Sequence, residues 1–284
     1  TFKTVTFAGA LDSGAVRLTD QFDARFGVRF GRFTIDDFHG KHRVLSVPEV
    51  YKYSSNIGTI KIMQAMGKDA FRDFLTRIGM DKRVPFELPE MRDPKVPDKF
   101  SEIVAATASF GHGLSVSPLH MARAVAGFVN DGLMPVPTVY KRSVAEAQPS
   151  YIRVVSEETS RDLRYLMRLN ALEGSGTRMN KAADGYRVGG KTGTAQKVVD
   201  GRYSSSLNFN VFASAFPLEN PRYAMVIIVD EPKAEEGLFS NQNTAGYNAG
   251  EITGRIVQRV APMLGIAPDF GQFNDESLIP AELR

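Results

Sequence analysis

The last third of the chain limits the fold most. From residue 186 three β-rich runs follow one another, YRVGGKTGTAQKVV, NFNVFASAFP and YAMVIIVDEP, separated by the turn signals Asp200-Gly201 and Asn220-Pro221. Branched and aromatic side chains suit a pleated, half-buried surface, and turn-forming connections join neighbouring runs head to tail. The pattern therefore predicts consecutive antiparallel strands. The segment NAGEITGRIVQRVAPMLG that follows reads as an amphipathic helix.

Upstream the periodicity changes. In NIGTIKIMQAMGKDAFRDFLTRIG, residues 56–79, the apolar positions Ile57, Ile60, Met63, Phe71, Phe74, Leu75 and Ile78 have helical spacing, with a break expected near Gly67. Residues 80–100 are rich in proline and charge and read as a meandering connection. Ser117 as N-cap, Pro118 at the first helical position and Gly132 as a stop bound another helix, and Ser156 followed by Glu157 and Glu158 opens a further one. The chain reads as α+β, an antiparallel sheet flanked by helices plus a mostly helical subdomain: about 1–185 mainly helical, 186–284 sheet-rich.

Composition sets the remaining bounds. With 284 residues, 43% of them hydrophobic and 24% charged, the chain suits one large domain or two interlocked subdomains. A net charge of +3 spread along the sequence gives no nucleic-acid footprint. The absence of cysteine removes disulfides, thiolate metal sites and cysteine nucleophiles, and leaves the compartment open. No apolar run approaches the ~20 residues that span a bilayer. The opening TFKTVTFAGALDSG has no Met and no signal-peptide core, so Thr1 is not expected to be the biological start.

GYRVGGKTGTAQKV, residues 185–198, admits two incompatible chemistries. Gly185 through Thr192 satisfies the phosphate-loop pattern G-x-x-x-x-G-K-[ST], while Lys191-Thr192-Gly193 is the K-T-G triplet of penicillin-recognising serine acyl-enzymes. A phosphate loop must follow a buried strand and lead into a helix, whose N-terminus holds the phosphates. Here the polar TRMNKAAD precedes Gly185, and Thr194, Val198 and Val199 continue as a strand, so both flanks disagree. The serine reading needs two more elements, S-x-N and S-x-x-K. Ser54-Ser55-Asn56 supplies the first, just ahead of a helix. Thr1-Phe2-Lys3 supplies x-x-K, with the serine expected immediately upstream, and a serine carrying a covalent adduct is favoured there over a cut.

Together TFKTVTFAGAL, YKYSSNIG, SFGHGLSVSPLHMARA, GGKTGTAQK and PRYAMVIIVDEPK resemble the transpeptidase domain of class B penicillin-binding proteins, the division-specific (septal) type above all. The resemblance runs over nearly the whole chain in the expected order, and its one departure is the nucleophile ahead of Thr1. It implies a peptidoglycan D,D-transpeptidase that acts on a D-alanyl-D-alanine stem peptide and an amine acceptor and is acylated by β-lactams. It also implies cell-division or cell-wall synthesis proteins as partners, a membrane anchor upstream of this chain, and a place on the periplasmic face of the bacterial inner membrane. No cofactor, metal or nucleic acid is expected.

A serine hydroxyl is a weak nucleophile and needs a base, and a lysine three residues on along a helix lies on its face. Lys3 is the candidate, with a pKa that burial and a second cation, Lys191 in this reading, must bring down from roughly 10.4. Ser54 is expected to relay a proton to the departing amine, and Asn56 to orient Lys3 and the substrate backbone. The strand Lys191–Thr194 is expected to pair with substrate as an added strand, kept free of a side chain at Gly193. By the resemblance, the serine and Thr194 N–H groups form the oxyanion hole, and Lys191, Thr192 and Thr194 bind the terminal carboxylate. Phe110 and His112 of SFGHG stand as cleft wall or as packing, and Ser54 and Asn56 also suit a helix-cap pair. His39 and His42 read as loop residues, not metal ligands. Hydrolysis of the same acyl-enzyme by a carboxypeptidase or β-lactamase, and a non-catalytic β-lactam sensor, stay open as alternatives.

Overall fold

The computed structural model describes residues 1–199, 202–233, 243–271 and 275–284, which form two compact units. One comprises Phe2–Leu166 and Ile279–Arg284, the other Thr1 and Met167–Leu278.

The first unit is built around α1 (Lys3–Asp12), in which every residue from Lys3 to Ala10 is buried. A helix enclosed on all sides carries no polar stripe, so its sequence shows no helical periodicity. Its threonine hydroxyls are satisfied: Thr4 Oγ1 shares a hydrogen bond with the Tyr51 hydroxyl (2.9 Å), and Thr6 Oγ1 donates to the Ser109 carbonyl (2.6 Å). Four short strands follow, β1 (Gln21–Asp23), β2 (Val28–Phe30), β3 (Phe33–Ile35) and β4 (Val44–Ser46). They pair antiparallel as β1 with β4 and β2 with β3.

The helices α2 (Val47–Tyr53), α3 (Asn56–Met66) and α4 (Lys68–Arg77) come next. The break expected near Gly67 is that residue itself, which ends α3 and starts α4 at φ 89°, a conformation closed to most side chains. Ile57, Ile60, Met63, Phe71, Phe74, Leu75 and Ile78 are all buried, as their spacing predicts. Beyond the meandering 80–100 segment lie α5 (Glu102–Ser109) and α6 (Pro118–Val129). Ser117 caps α6, accepting from the His120 amide (3.4 Å) while His120 Nδ1 accepts from the Ser117 amide (3.2 Å). This is a capping box with histidine in the usual glutamate place. The helix closes at Asn130, two residues before Gly132. The unit then adds β5 (Leu133–Met134), α7 (Val144–Ala147) and β6 (Ile152–Arg153), with β5 and β6 paired, and the start of α8 (Glu157–Glu173). There the Thr159 amide donates to Ser156 Oγ (3.1 Å), the expected N-terminal cap.

In the second unit α9 (Thr177–Ala182) precedes β7 (Gly189–Val199), β8 (Arg202–Phe216) and β9 (Tyr223–Asp230). The three strands run antiparallel in the order β7-β8-β9, with Thr192 opposite Phe212 and Phe212 opposite Ile227. Asn220-Pro221 lies in the β8–β9 turn, as read from the sequence; Asp200-Gly201 lies outside the described residues. A π-helical turn, Gly246–Gly250, leads into α10 (Glu251–Met263). Phe212, Phe216, Val188, Ala249, Val257 and Ala261 form the core between sheet and helix. The architecture is the α+β mixture that the sequence predicts.

Candidate functional site

In the helical unit two of the expected groups meet. Lys3 Nζ, in the first turn of α1, donates to the Ser54 carbonyl (2.6 Å) and to Ser54 Oγ (3.0 Å). Ser54 ends α2 in the left-handed conformation (φ 58°, ψ 37°), which costs a non-glycine residue roughly 1 kcal/mol. That turn carries both Ser54 oxygens to one ammonium group. Burial lowers the Lys3 pKa to about 8, and the negative charge of Asp37 opposes the fall. Desolvation is therefore the main cause of the lowering.

The cap of α3 is neither Ser54 nor Asn56 but Ser55, which lies between them. Ser55 Oγ accepts from the Gly58 amide (2.9 Å) and donates to Asp37 Oδ2 (2.6 Å). Asp37 Oδ1 accepts from the amides of Asn56 and Ile57, the latter at 3.0 Å. A carboxylate against the free amides of a first helical turn is favourable for both hydrogen bonding and the helix dipole. Ser55 and Asp37 thus fix the turn and leave the Ser54 hydroxyl to Lys3. The Asn56 side chain donates to the Asp36 carbonyl (3.4 Å). The sequence gives no sign of a role for Asp37 or Ser55; Asp37 lies 18 residues from its serine partner, beyond any local pattern.

The SFGHG segment follows α5. Phe110 closes that helix, and its ring meets the His112 ring edge-on at 5.2 Å. His112 is half-buried, and burial, followed by the Lys3 charge, lowers its pKa and holds the imidazole neutral at physiological pH. His39 and His42 lie in the β3–β4 connection, and among the described residues no three histidine, aspartate or glutamate side chains cluster as a metal site would require.

In the sheet unit Lys191, Thr192, Gly193 and Thr194 occupy consecutive positions of β7. A strand runs through Lys191 where a phosphate loop would begin a helix, so the phosphate reading fails on this flank as expected. The two-residue period sets Thr192 and Thr194 on one face and Lys191 and Gly193 on the other. Lys191 is 1% exposed. Thr194 Oγ1 accepts from the Ala245 amide (3.0 Å), and Thr192 Oγ1 lies 2.6 Å from Ser175 Oγ. Among the described strands β7 ends the order, and the Thr1 nitrogen donates to its Thr192 carbonyl (2.9 Å). Gly193 makes that approach possible, because a Cβ there would stand 2.6 Å from the Thr1 nitrogen.

The family model for the penicillin binding protein transpeptidase domain matches residues 1–258. A Caulobacter vibrioides protein named "Probable peptidoglycan D,D-transpeptidase FtsI" is 37% identical over 273 residues, covering 94% of this chain and 46% of the relative. Stage V sporulation protein D of Bacillus subtilis is 32% identical, over 94% of this chain and 42% of its own length. The chain thus spans less than half of either relative. The apo transpeptidase domain of Burkholderia pseudomallei penicillin-binding protein 3 superposes with a TM-score of 0.84 at 30% identity, over 94% of this chain and 79% of that one. Mycobacterium tuberculosis penicillin-binding protein 3, solved with ampicillin, gives 0.82 at 25% identity, over 96% and 63%. The chain belongs to the penicillin-binding protein transpeptidase domain family.

Proposed function

We propose that this chain is the catalytic domain of a peptidoglycan D,D-transpeptidase of the septal type. The observation that carries the reading is the Lys3 ammonium 3.0 Å from Ser54 Oγ, with its pKa brought down to about 8 by burial. A lysine so tuned is a base near neutral pH.

The nucleophile is a serine directly ahead of Thr1 in the longer protein, in register with x-x-K. Neutral Lys3 takes its proton as the serine oxygen attacks the carbonyl carbon between the two D-alanines of the donor stem peptide. The resulting oxyanion is held by the serine and Thr194 N–H groups, where one donor is worth roughly 3 kcal/mol. The C–N bond breaks as Ser54 passes a proton to the departing D-alanine amine and regains one from Lys3. An acceptor amine attacks the ester, gives up its proton by the reverse route and frees the serine, leaving a new peptide cross-link. Lys191, Thr192 and Thr194 bind the donor's terminal carboxylate, Gly193 leaves room for its backbone along β7, Asn56 orients the peptide, and Phe110 and His112 wall the cleft.

The septal assignment draws on the FtsI relative, and division proteins are the partners it implies. The periplasmic face of the bacterial inner membrane is the location this reading implies; among the described residues no helix is long and apolar enough to cross a membrane.

The test uses a longer protein that restores the preceding residue. Ampicillin should add its mass to one site, and a thioester donor with an amine acceptor should give the aminolysed product. Both reactions should vanish in Ser54→Ala and Lys3→Ala while each variant still folds, as shown by a cooperative melting transition. Absence of an adduct in the unsubstituted protein would refute the reading, and release of the adduct within seconds would favour hydrolysis over transfer.

A further inference from the structure

Between α1 and α2 the helical unit carries a small antiparallel hairpin, β2 and β3, whose strands pair only with each other among the described strands. Val28 and Phe30 stand opposite Ile35 and Phe33, so these four apolar side chains share one face, and Arg29 and Thr34 share the other. Phe33 is 54% exposed, and Phe26 and Phe38, just before and just after the hairpin, are 75% and 83% exposed. A single apolar side chain on a surface means little. Three phenyl rings within one short stretch form a patch, the mark of a surface that another molecule covers. A lone two-stranded hairpin is also marginal in water, and a third strand is what steadies such a sheet.

The tip of the hairpin is basic. Arg29 Nε donates to the Gly31 carbonyl (3.0 Å), and the Arg32 guanidinium stands over the Phe33 ring, 5.1 Å from its centroid. Neither forms an ion pair with a described carboxylate, whereas Arg25 and Arg43 are held by Asp23 and Glu49. The outer edges of β2 and β3 meanwhile present backbone N–H and C=O groups that no described strand meets.

Rings, charges and edges together select the occupant. A second copy of the hairpin would set arginine against arginine. An anionic lipid surface suits the arginines and the rings, but hydrocarbon offers the strand edges no hydrogen-bond partner. An extended polypeptide segment with alternating apolar side chains and flanking carboxylates satisfies all three. We propose that the hairpin Val28–Ile35 is the docking site for such an acidic segment of a partner protein, which adds to it as a third strand. The docked segment lies near the catalytic turn along the chain: Asp37, which holds the Ser55 hydroxyl and the Ile57 amide, comes two residues after β3 ends. The inference stands apart from the transpeptidase reading and does not need it.

Photocrosslinking of the longer protein in living cells tests it, with the photoreactive analogue p-benzoylphenylalanine in place of Phe26 or of Phe33, and in place of Val144, 75% exposed on α7 of the same unit, as the control. Irradiation should join both hairpin positions, and not the control, to one protein. Mass spectrometry should place the attachment in a segment of alternating apolar residues with net negative charge. Arg29→Glu combined with Arg32→Glu should cut the adduct yield by about tenfold or more, since like charges across an interface are strongly unfavourable. The two arginines touch neither Lys3 nor Ser54, so ampicillin acylation of that variant should stay within about twofold of the unsubstituted rate. Should the double variant not fold, Arg32→Ala alone, at the exposed tip, should lower the yield by about threefold or more. Absence of a protein adduct at both phenylalanines, adducts with lipid or with another part of the same chain, attachment to a basic segment or one without the alternation, or a yield unmoved by the arginine substitutions would each overturn the inference.

Discussion

The tuned lysine makes a quantitative prediction about pH. Only neutral Lys3 can accept the serine proton, so the acylation rate should track the deprotonated fraction. With a pKa of about 8, roughly a tenth of the molecules carry neutral Lys3 at pH 7; at the unperturbed 10.5 the fraction would be about 0.03%, some 300-fold lower. Acylation by ampicillin, followed by stopped flow on the longer protein between pH 6 and 10, should rise about tenfold per unit below pH 8 and level off above it. Two neighbouring groups titrate away from the limb. Burial holds His112 below its usual range, away from the pH 8 limb, and burial raises the Tyr51 phenol so that it stays protonated through that limb. Asp37→Asn removes the charge that opposes the lowering and should move the limb toward lower pH. A rate flat from pH 6 to 8, or a midpoint near 10.5, would refute the assignment of Lys3 as the base.

The same shift should appear in stability. Between pH 8 and 10.5 the unfolded chain binds more protons at Lys3 than the folded one, so the folded state gains stability as pH rises through that window and lacks about 3 kcal/mol of it below pH 8. The urea-unfolding free energy of the unsubstituted protein minus that of Lys3→Met should rise by about this amount between pH 8 and 10.5. Gly193→Ala sets a methyl 2.6 Å from the Thr1 nitrogen, and since a misplacement of about 1 Å costs on the order of 100-fold, acylation should fall by one to two orders of magnitude with folding retained in circular dichroism. Ser55→Ala removes the α3 cap and should cost about 1 kcal/mol in urea unfolding, together with a drop in acylation as the Ser54 turn loosens.

What the sequence made legible was local. The caps at Ser117 and Ser156, the interruption at Gly67, the buried stripe from Ile57 to Ile78 and the three strands after residue 186 each rest on residues a few positions apart. The α3 cap escaped because Ser54, Ser55 and Asn56 are all good capping residues, and only the left-handed turn at Ser54 decides which faces the helix. Asp37 and Ser175 escaped for a different reason. Their partners lie 17 to 20 residues away, and no periodicity links a loop carboxylate or a lone hydroxyl to the segment it contacts. Helix α1 left no amphipathic trace, since burial on every face erases the contrast on which periodicity depends.

That enclosure ties the reactive lysine to the most protected part of its unit. Fraying at a helix end or a loop ordinarily disables an enzyme well before its tertiary structure melts, because catalytic groups tend to occupy weakly held segments. Here Lys3, although in the first turn, is buried with the rest of α1, so freeing it means unpacking the helix around which the others pack. Amide hydrogens of Val5 to Ala10 should therefore exchange on the slowest timescale of the helical unit, and the Lys3–Ser54 contact should survive increasing denaturant until that unit collapses as a whole.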